Sequence, residues 1–233
     1  DCSAMSCTSM LQATLRIAVS GFLAVLAGCA GKPPAPDWQL NAYSASDRAV
    51  QAYLDGRQRV ESAEFARARS EIARTGDAAQ LARLELLRCA AQVASLDLAP
   101  CTRFDALAQD ATPTERAYAR YLAGRADPAD IALLPLAQQA AARAGPEQAA
   151  AVIAGQSDPL AQLVAAGARF ARGQASPQLV QLAVDTASRQ GWRRPLLAWL
   201  GVQEKLAEGK GDEPQAARLR RRMAIVNQEN PRD

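Results

Sequence analysis

The sequence predicts an all-α fold, arranged as an α-solenoid of antiparallel helix hairpins. From Trp38 onward, segment after segment begins at an N-cap residue followed by proline and ends at glycine, which marks helix starts and stops. No alternating run of β-branched and aromatic residues lies between hairpin turns, so we expect no strands. Alanine is the commonest residue and aromatic residues make up only 5% of the chain, which favours close packing of helices over sheets.

The individual helices follow from local signals. Before residue 100, SASDRAVQAYLDG, FARARSEIARTG and DAAQLARLELLRCAAQVASL place apolar residues at spacings of three and four. TPTERAYARYLAG then has Thr112 as N-cap, Pro113 at the first helical position and Glu115 completing a capping box. DPADIALLPLAQQAAARAG repeats this pattern from Asp127, and Pro135 must kink that helix or split it. GPEQAAAVIAG, SDPLAQLVAAGARFARG and SPQLVQLAVDTASRQG predict three more helices.

The spacing of the helix starts predicts a repeat. Prolines at the first helical position fall at 113, 128, 146, 159 and 177, so alternate starts are separated by 33, 31 and 31 residues. A recurring helix pair of this length is typical of α-solenoids. Over roughly Ala45 to Asn227 the chain resembles the tetratricopeptide class in period and form, although that family's Trp, Leu-Gly, Tyr and Pro positions do not recur in register. The resemblance implies a concave surface for a protein partner.

A short apolar run lies near the N-terminus. Residues Ile17 to Ala27 form 11 uncharged residues after Arg16, as in a secretory signal with a basic region, an apolar region and a small-residue cleavage site. As a helix this run would reach about 16 Å, roughly half of a bilayer's hydrocarbon core. We therefore expect a cleaved signal and not a membrane span.

Leu-Ala-Gly-Cys at positions 26–29 matches the lipobox, and here the chain resembles bacterial lipoproteins. The resemblance implies a signal peptide over residues 1–28, cleavage before Cys29, and acylation of the Cys29 thiol and the new amino terminus. Several acyl chains on one residue anchor a protein stably. Ala30 stands where an inner-membrane retention signal has Asp, which implies the outer membrane, facing the periplasm. The alternative is a buried cysteine in an ordinary signal or core helix.

The remaining chain divides into a tether and a domain. Residues 29–40 contain AGKPPAP, whose prolines favour a stiff polyproline II spacer, and residues 41–233 form the predicted helical-repeat domain. After residue 28 the chain has 205 residues with 26 Lys and Arg against 23 Asp and Glu, a net charge of +3. No concentrated basic face with stacking aromatics is evident, so we expect no nucleic-acid partner.

Two cysteines remain in the predicted domain, Cys89 and Cys101. In an oxidising periplasm this pair predicts a disulfide, whose loop closure contributes roughly 3 kcal/mol on the chain-entropy estimate. The alternative is two free buried thiols. Metal binding is not expected, because the chain has no histidine and no further thiols to complete a ligand set.

We predict no enzyme and no cofactor. The absence of histidine excludes Ser-His-Asp and Cys-His systems, and no Ser-x-x-Lys or phosphate-binding glycine loop occurs. Glu61-Ser62 is the one catalytic hint, since it resembles the Glu-Ser pair of lytic transglycosylases, whose glutamate is the general acid. The Gly-rich segment that follows in that family is missing. We expect an ordinary exposed or rim glutamate, because raising the pKa of a carboxyl needs a preformed apolar pocket.

The densest charge cluster is RLRRRM near the C-terminus. Leu219, Met223 and Val226 recur at helical spacing and are predicted to face the core. The flanking arginines either form a solvated cap on the terminal hairpin or, together with Arg193 and Arg194, contact anionic groups of a partner, lipid head groups or peptidoglycan. The four predicted contact residues are Arg218, Arg220, Arg221 and Arg222. Trp192 and Trp199 are predicted to be core aromatics.

These observations predict an outer-membrane-anchored periplasmic lipoprotein that is a non-catalytic scaffold for an envelope protein partner. In plan, though not in motif, it resembles the tetratricopeptide lipoproteins of barrel-assembly and pilus-assembly machineries. The alternative is a peptidoglycan-binding or peptidoglycan-cleaving protein, with Glu61 as acid or the arginine-rich end as the polymer contact. A third alternative is a structural envelope protein without a dedicated ligand.

Overall fold

A computed structural model describes residues 34–228, and within that range it contains twelve helices and no strand. The prediction of an all-α fold is therefore confirmed. The helices are α1 (Asp37–Asp55), α2 (Gln58–Ala73), α3 (Ala78–Ala94), α4 (Thr102–Asp105), α5 (Pro113–Leu122), α6 (Pro128–Leu133), α7 (Leu136–Arg143), α8 (Ala149–Ala154), α9 (Pro159–Ala171), α10 (Pro177–Gln190), α11 (Arg193–Gly209) and α12 (Glu213–Gln228).

The predicted capping signals form the expected hydrogen bonds. The Thr112 backbone N–H donates to the Glu115 carboxylate at 2.7 Å, and the Glu115 N–H donates to the Thr112 hydroxyl at 3.4 Å. Asp127 and Asp130 form the same reciprocal pair at the start of α6. Pro135 splits its segment into α6 and α7, because its ring can neither donate a helical hydrogen bond nor fit against the preceding turn.

The predicted helix start at Pro146 is wrong. Helix α8 begins at Ala149, and residues 146–148 form a turn in which the Gln148 N–H donates to the Gly145 carbonyl at 3.1 Å. The residue before Pro146 is Gly145, which has no side-chain oxygen to accept from the first turn. By contrast, Asp158 and Ser176 supply such an oxygen and begin α9 and α10 where predicted.

Helices adjacent in sequence pack together along much of the domain. Contacts join α1 to α2, α9 to α10, α10 to α11, and α11 to α12. Two further contacts join helices that are distant in sequence, α3 with α9 and α1 with α11. A linear array buries each hairpin only against its neighbours. The tetratricopeptide-like solenoid therefore stays a prediction.

The contact of α3 with α9 is unusually close at Gly167. A Cβ atom on Gly167 would overlap the Val93 carbonyl oxygen and lie only 2.8 Å from the Val93 carbonyl carbon. Such a separation is far inside van der Waals contact, so only a hydrogen fits between the two backbones. Neighbouring positions on both helices are buried alanines, including Ala90, Ala94 and Ala166. Small residues thus allow the two helices to approach at backbone distance.

Two tryptophans attach α11 to the rest of the domain. The indole N–H of Trp199, which is fully buried, donates to the Ala94 carbonyl at 3.0 Å, and its ring meets Phe170 edge-on at 5.8 Å. The indole N–H of Trp192 donates to the Gln51 side chain of α1 at 3.2 Å. Both rings lie in the core with their polar N–H groups satisfied, which confirms the prediction of core aromatics.

Replacing Gly167 tests the close contact. We expect Gly167→Ala to lower the free energy of unfolding by about 2–3 kcal/mol, because the added methyl group displaces backbone. Gly201→Ala is the matched control, since Gly201 lies inside α11 with open space where a methyl group would be added, and it should gain about 0.5–1 kcal/mol from helix propensity. Urea unfolding followed by circular dichroism measures both, and equal effects would contradict the contact.

Candidate functional site

The predicted anchor, Cys29, lies outside the described residues. Of the predicted tether, residues 34–36 are exposed and have no regular structure, and α1 begins at Asp37, four residues before the predicted start of the domain at 41. A carboxylate in the first turn stabilises a helix N-terminus, which favours a start at Asp37. Within residues 34–228, no helix is both long enough and apolar enough to cross a membrane.

Cys89 and Cys101 form a disulfide, as predicted. Cys89 is buried on α3, Cys101 is the residue before α4, and their Cα atoms lie 6.0 Å apart. The bond ties α4 and the preceding loop to α3. No group of three His, Cys, Asp or Glu side chains in the described part of the chain is placed to hold a metal ion.

The C-terminal arginine cluster is partly occupied by the chain itself. Arg220 donates to Glu204 at 2.6 Å, to Glu208 at 2.6 Å and to Glu213 at 2.7 Å. The hydrogen bonds from Glu213, Glu208 and Glu204 raise the pKa of the Arg220 guanidinium. Arg220 therefore connects α12 to α11, which the sequence prediction of a partner contact did not anticipate.

The other three predicted contact arginines differ in environment. Arg222 donates to the Ser188 hydroxyl at 3.1 Å, whereas Arg218 and Arg221 are exposed and form no ion pair within residues 34–228. The opposite face agrees with the prediction, because Leu219 is buried and Met223 and Val226 pack against the main core. Only Arg218 and Arg221 of the four thus have their guanidinium groups directed to no residue of the described chain.

Arg194 also has a structural contact. Its Nε–H donates to the Tyr53 carbonyl at 2.8 Å, and its guanidinium carbon lies 4.3 Å from the centre of the Tyr53 ring. Burial raises the pKa of the Tyr53 hydroxyl to about 12. This contact joins the start of α11 to the end of α1, beside the hydrogen bond made by Trp192.

Glu61 is buried and ion-paired, which corrects the prediction of an exposed or rim glutamate. Its side chain is only 5% exposed, and one carboxylate oxygen lies 2.9 Å from a guanidinium nitrogen of Arg88 on α3. The Ser62 hydroxyl donates to the other oxygen at 3.2 Å. The sequence prediction missed the burial because the partner that compensates the desolvation of Glu61 is 27 positions away.

A cleft of about 400 Å³ opens beside this ion pair, between α2, α3 and α4. We call it the arginine cleft, because three arginines line it. Its principal lining residues are Ser62, Phe65, Arg69, Glu85, Arg88 and Arg103. The Arg88 guanidinium carbon also lies 5.1 Å from the centre of the Phe65 ring, a cation–π contact that holds its orientation.

The charges of the arginine cleft do not cancel. Arg69 is ion-paired with Glu85, whose side chain is 3% exposed, and Arg88 is ion-paired with Glu61. Arg103, on α4, is exposed and forms no ion pair in the part of the chain that the structure describes. Each carboxylate of the cleft is thus matched by one arginine, and Arg103 adds a further positive charge.

A second cleft, of about 570 Å³, has mainly apolar walls formed by α3, α5 and the α6–α7 junction. Leu86, Leu87 and Tyr118 contribute its apolar surface, and burial raises the pKa of the Tyr118 hydroxyl. The ion pair of Arg83 with Glu115 lies at its edge. This cleft brings no set of converging polar groups together, so it offers shape without evident chemistry.

Sequence reasoning did not find the arginine cleft. Arg69, Arg88 and Arg103 lie on three different helices and form no motif or charge run. The available signal is indirect, since the buried face of α3 that carries Cys89 and Leu86 also carries Glu85. A carboxylate among apolar positions of one helix face indicates a cationic partner on a neighbouring helix.

Comparison of this chain with protein-family models, with curated protein sequences and with solved structures finds no match. The function proposed below therefore rests on the residues and the geometry of the chain itself.

Glu61→Gln tests the role of the Glu61 ion pair. We expect it to lower the free energy of unfolding by about 1–3 kcal/mol, because the charge of Arg88 loses its buried partner. Arg88→Met should cost a similar amount, and the double variant should cost less than the sum of the two single variants. Thermal unfolding of the four proteins measures this coupling, and strict additivity would contradict a structural ion pair.

Proposed function

We propose that this chain is an outer-membrane-anchored periplasmic lipoprotein whose helical domain is a non-catalytic scaffold for an envelope protein partner. The disulfide between Cys89 and Cys101 is the observation that supports it most directly. Disulfides persist in oxidising compartments outside the cytosol. This agrees with an export signal that ends in a lipobox at Cys29.

The proposed anchor has a simple geometry. Acyl chains on Cys29 would insert into the membrane, and residues 30–36, if extended as polyproline II, would span about 22 Å before α1 begins at Asp37. A spacer of this length would separate the helical domain from the lipid head groups and leave its surface accessible to a partner.

The finer part of the proposal is a tetratricopeptide-like solenoid of antiparallel helix hairpins. It is supported by the proline spacing of 31–33 residues and by helices α9 to α12, each of which packs against the next. The scaffold role assigns no reaction and no cofactor, since the chain has no histidine and Glu61 is enclosed by its ion pair with Arg88.

The alternative is a peptidoglycan-binding or peptidoglycan-cleaving protein. The arginine cleft favours it to the extent that Ser62, the neighbour of Glu61, lines that cleft. The burial of Glu61 argues against direct contact of its carboxylate with a sugar. Release of muropeptides by the purified protein, together with its loss in a Glu61→Gln variant shown to be folded, would favour cleavage over the scaffold role.

Cys29→Ser tests the anchor. In the unaltered chain we expect mass spectrometry to find a mature protein that begins at Cys29 and carries acyl chains, and we expect it to sediment with outer membranes. The variant should stay uncut and unacylated, because serine has no thiol to modify. Cys7→Ser is the matched control, since position 7 lies in the predicted signal peptide and should leave the product unchanged. An unmodified Cys29 in an uncut cytosolic product would contradict the proposal.

Crosslinking in intact envelopes tests the scaffold role. We expect purification of the crosslinked protein to enrich one envelope protein reproducibly, because a scaffold presents a specific surface to its partner. The control has residues 1–36 of this chain fused to an unrelated helical domain, so that anchor and tether are identical and only the helical domain differs. Equal recovery of every crosslinked protein with the control would argue against a partner-specific role.

A further inference from the structure

We infer that the arginine cleft is a binding site for a small organic anion that carries a carboxylate or phosphate group. Its volume of about 400 Å³ falls in the range of small-molecule sites, about 300–1,000 Å³. Guanidinium groups bind both kinds of oxyanion through paired N–H donors. Such a site goes beyond the scaffold role, which needs no small ligand.

The charges of the cleft favour an anion over a neutral ligand. The carboxylates of Glu61 and Glu85 are 5% and 3% exposed and each is ion-paired, so a ligand would meet the arginines and not the carboxylates. Arg103 contributes a positive charge without a carboxylate partner among the described residues. An anion with one or more negative charges would compensate that excess.

The cleft also retains hydrogen-bond donors for such a ligand. A guanidinium has five N–H donors, and the ion pair of Arg69 with Glu85 uses one of its nitrogens. The hydroxyl groups of Ser62 and Ser70 line the same cleft. Several donors on two facing helices can therefore surround one oxyanion group, as recognition of a carboxylate or phosphate requires.

The disulfide places two of the three arginines. Arg88 precedes Cys89 in α3, and Arg103 is two residues after Cys101 at the start of α4. Because α4 has only four residues, its position depends on the disulfide and on the buried ring of Phe104. Opening the disulfide would free one of these two attachments and allow Arg103 to leave the cleft. Anion binding should therefore depend on the oxidised state.

The test uses the purified full chain and two probes, inorganic phosphate and acetate, titrated at constant ionic strength with chloride as the reference anion. Isothermal titration calorimetry should show saturable binding of at least one probe. The probe that binds more tightly identifies the oxyanion group, phosphate or carboxylate, of the natural ligand. Absence of saturable binding of both probes would overturn the inference.

Arg103→Gln should weaken binding about tenfold, because it removes the unpaired charge while leaving both ion pairs of the cleft intact. Arg221→Gln is the matched control, since Arg221 is also exposed and unpaired within residues 34–228 but lies on α12. Equal weakening by both variants would indicate general charge screening and overturn the site. Unchanged binding in Arg103→Gln would do the same.

Cys101→Ser tests the dependence on the disulfide. We expect about tenfold weaker binding in this variant and in the unaltered chain after reduction, while reduction should leave the residual binding of Cys101→Ser unchanged. Circular dichroism confirms that the helices remain formed. Binding that is insensitive to both treatments would overturn the role of the disulfide. These measurements use purified protein, so their outcome does not depend on where the chain is anchored.

Discussion

The approach of α9 to α3 at Gly167 is the constraint on which most of the structure depends. With only a hydrogen between Gly167 and the Val93 carbonyl, the two helices pack at backbone distance. This contact exposes the end of α3 to α11, so that the Ala94 carbonyl can accept the hydrogen bond of Trp199. On its other faces α3 contacts α2, α4 and α5. A helix with so many neighbours is a suitable support for a site, and it carries Cys89 and two lining residues of the arginine cleft.

The features that could be predicted from the sequence depend on residues close together in the chain. The capping box of Thr112 with Glu115 involves four consecutive positions, and the split at Pro135 follows from the geometry of proline alone. The role of Gly167 could not be predicted in this way, because the carbonyl it meets belongs to Val93, 74 positions earlier. Arg220 illustrates the same limit for charge, since its carboxylate partners lie up to 16 positions away and turn an apparent surface patch into a helix–helix contact.

The repeat period is informative about helix pairs but not about which pairs meet. Prolines 31–33 residues apart mark successive hairpins, and α9 to α12 do pack in succession. Yet α1 also contacts α11, where Trp192 meets Gln51 and Arg194 meets the Tyr53 backbone and ring. These contacts depend on single side chains with no periodic signature. A period in the sequence therefore constrains the local unit, whereas the order in which units are stacked is set by a few long-range contacts.

Alanine-rich helices explain why charged groups are buried in this domain. Small side chains allow close packing but leave few large apolar surfaces to determine how helices are aligned, and a directional ion pair can supply that alignment. Four buried carboxylates are each paired with an arginine, and three of the four pairs involve α3. The pairs are Glu61 with Arg88, Glu85 with Arg69, Glu115 with Arg83, and Asp130 with Arg120. Between α2 and α3, two such pairs place two arginines side by side, and the disulfide adds Arg103 without a further carboxylate. The excess positive charge of the arginine cleft thus follows from the same ion pairs that align its helices.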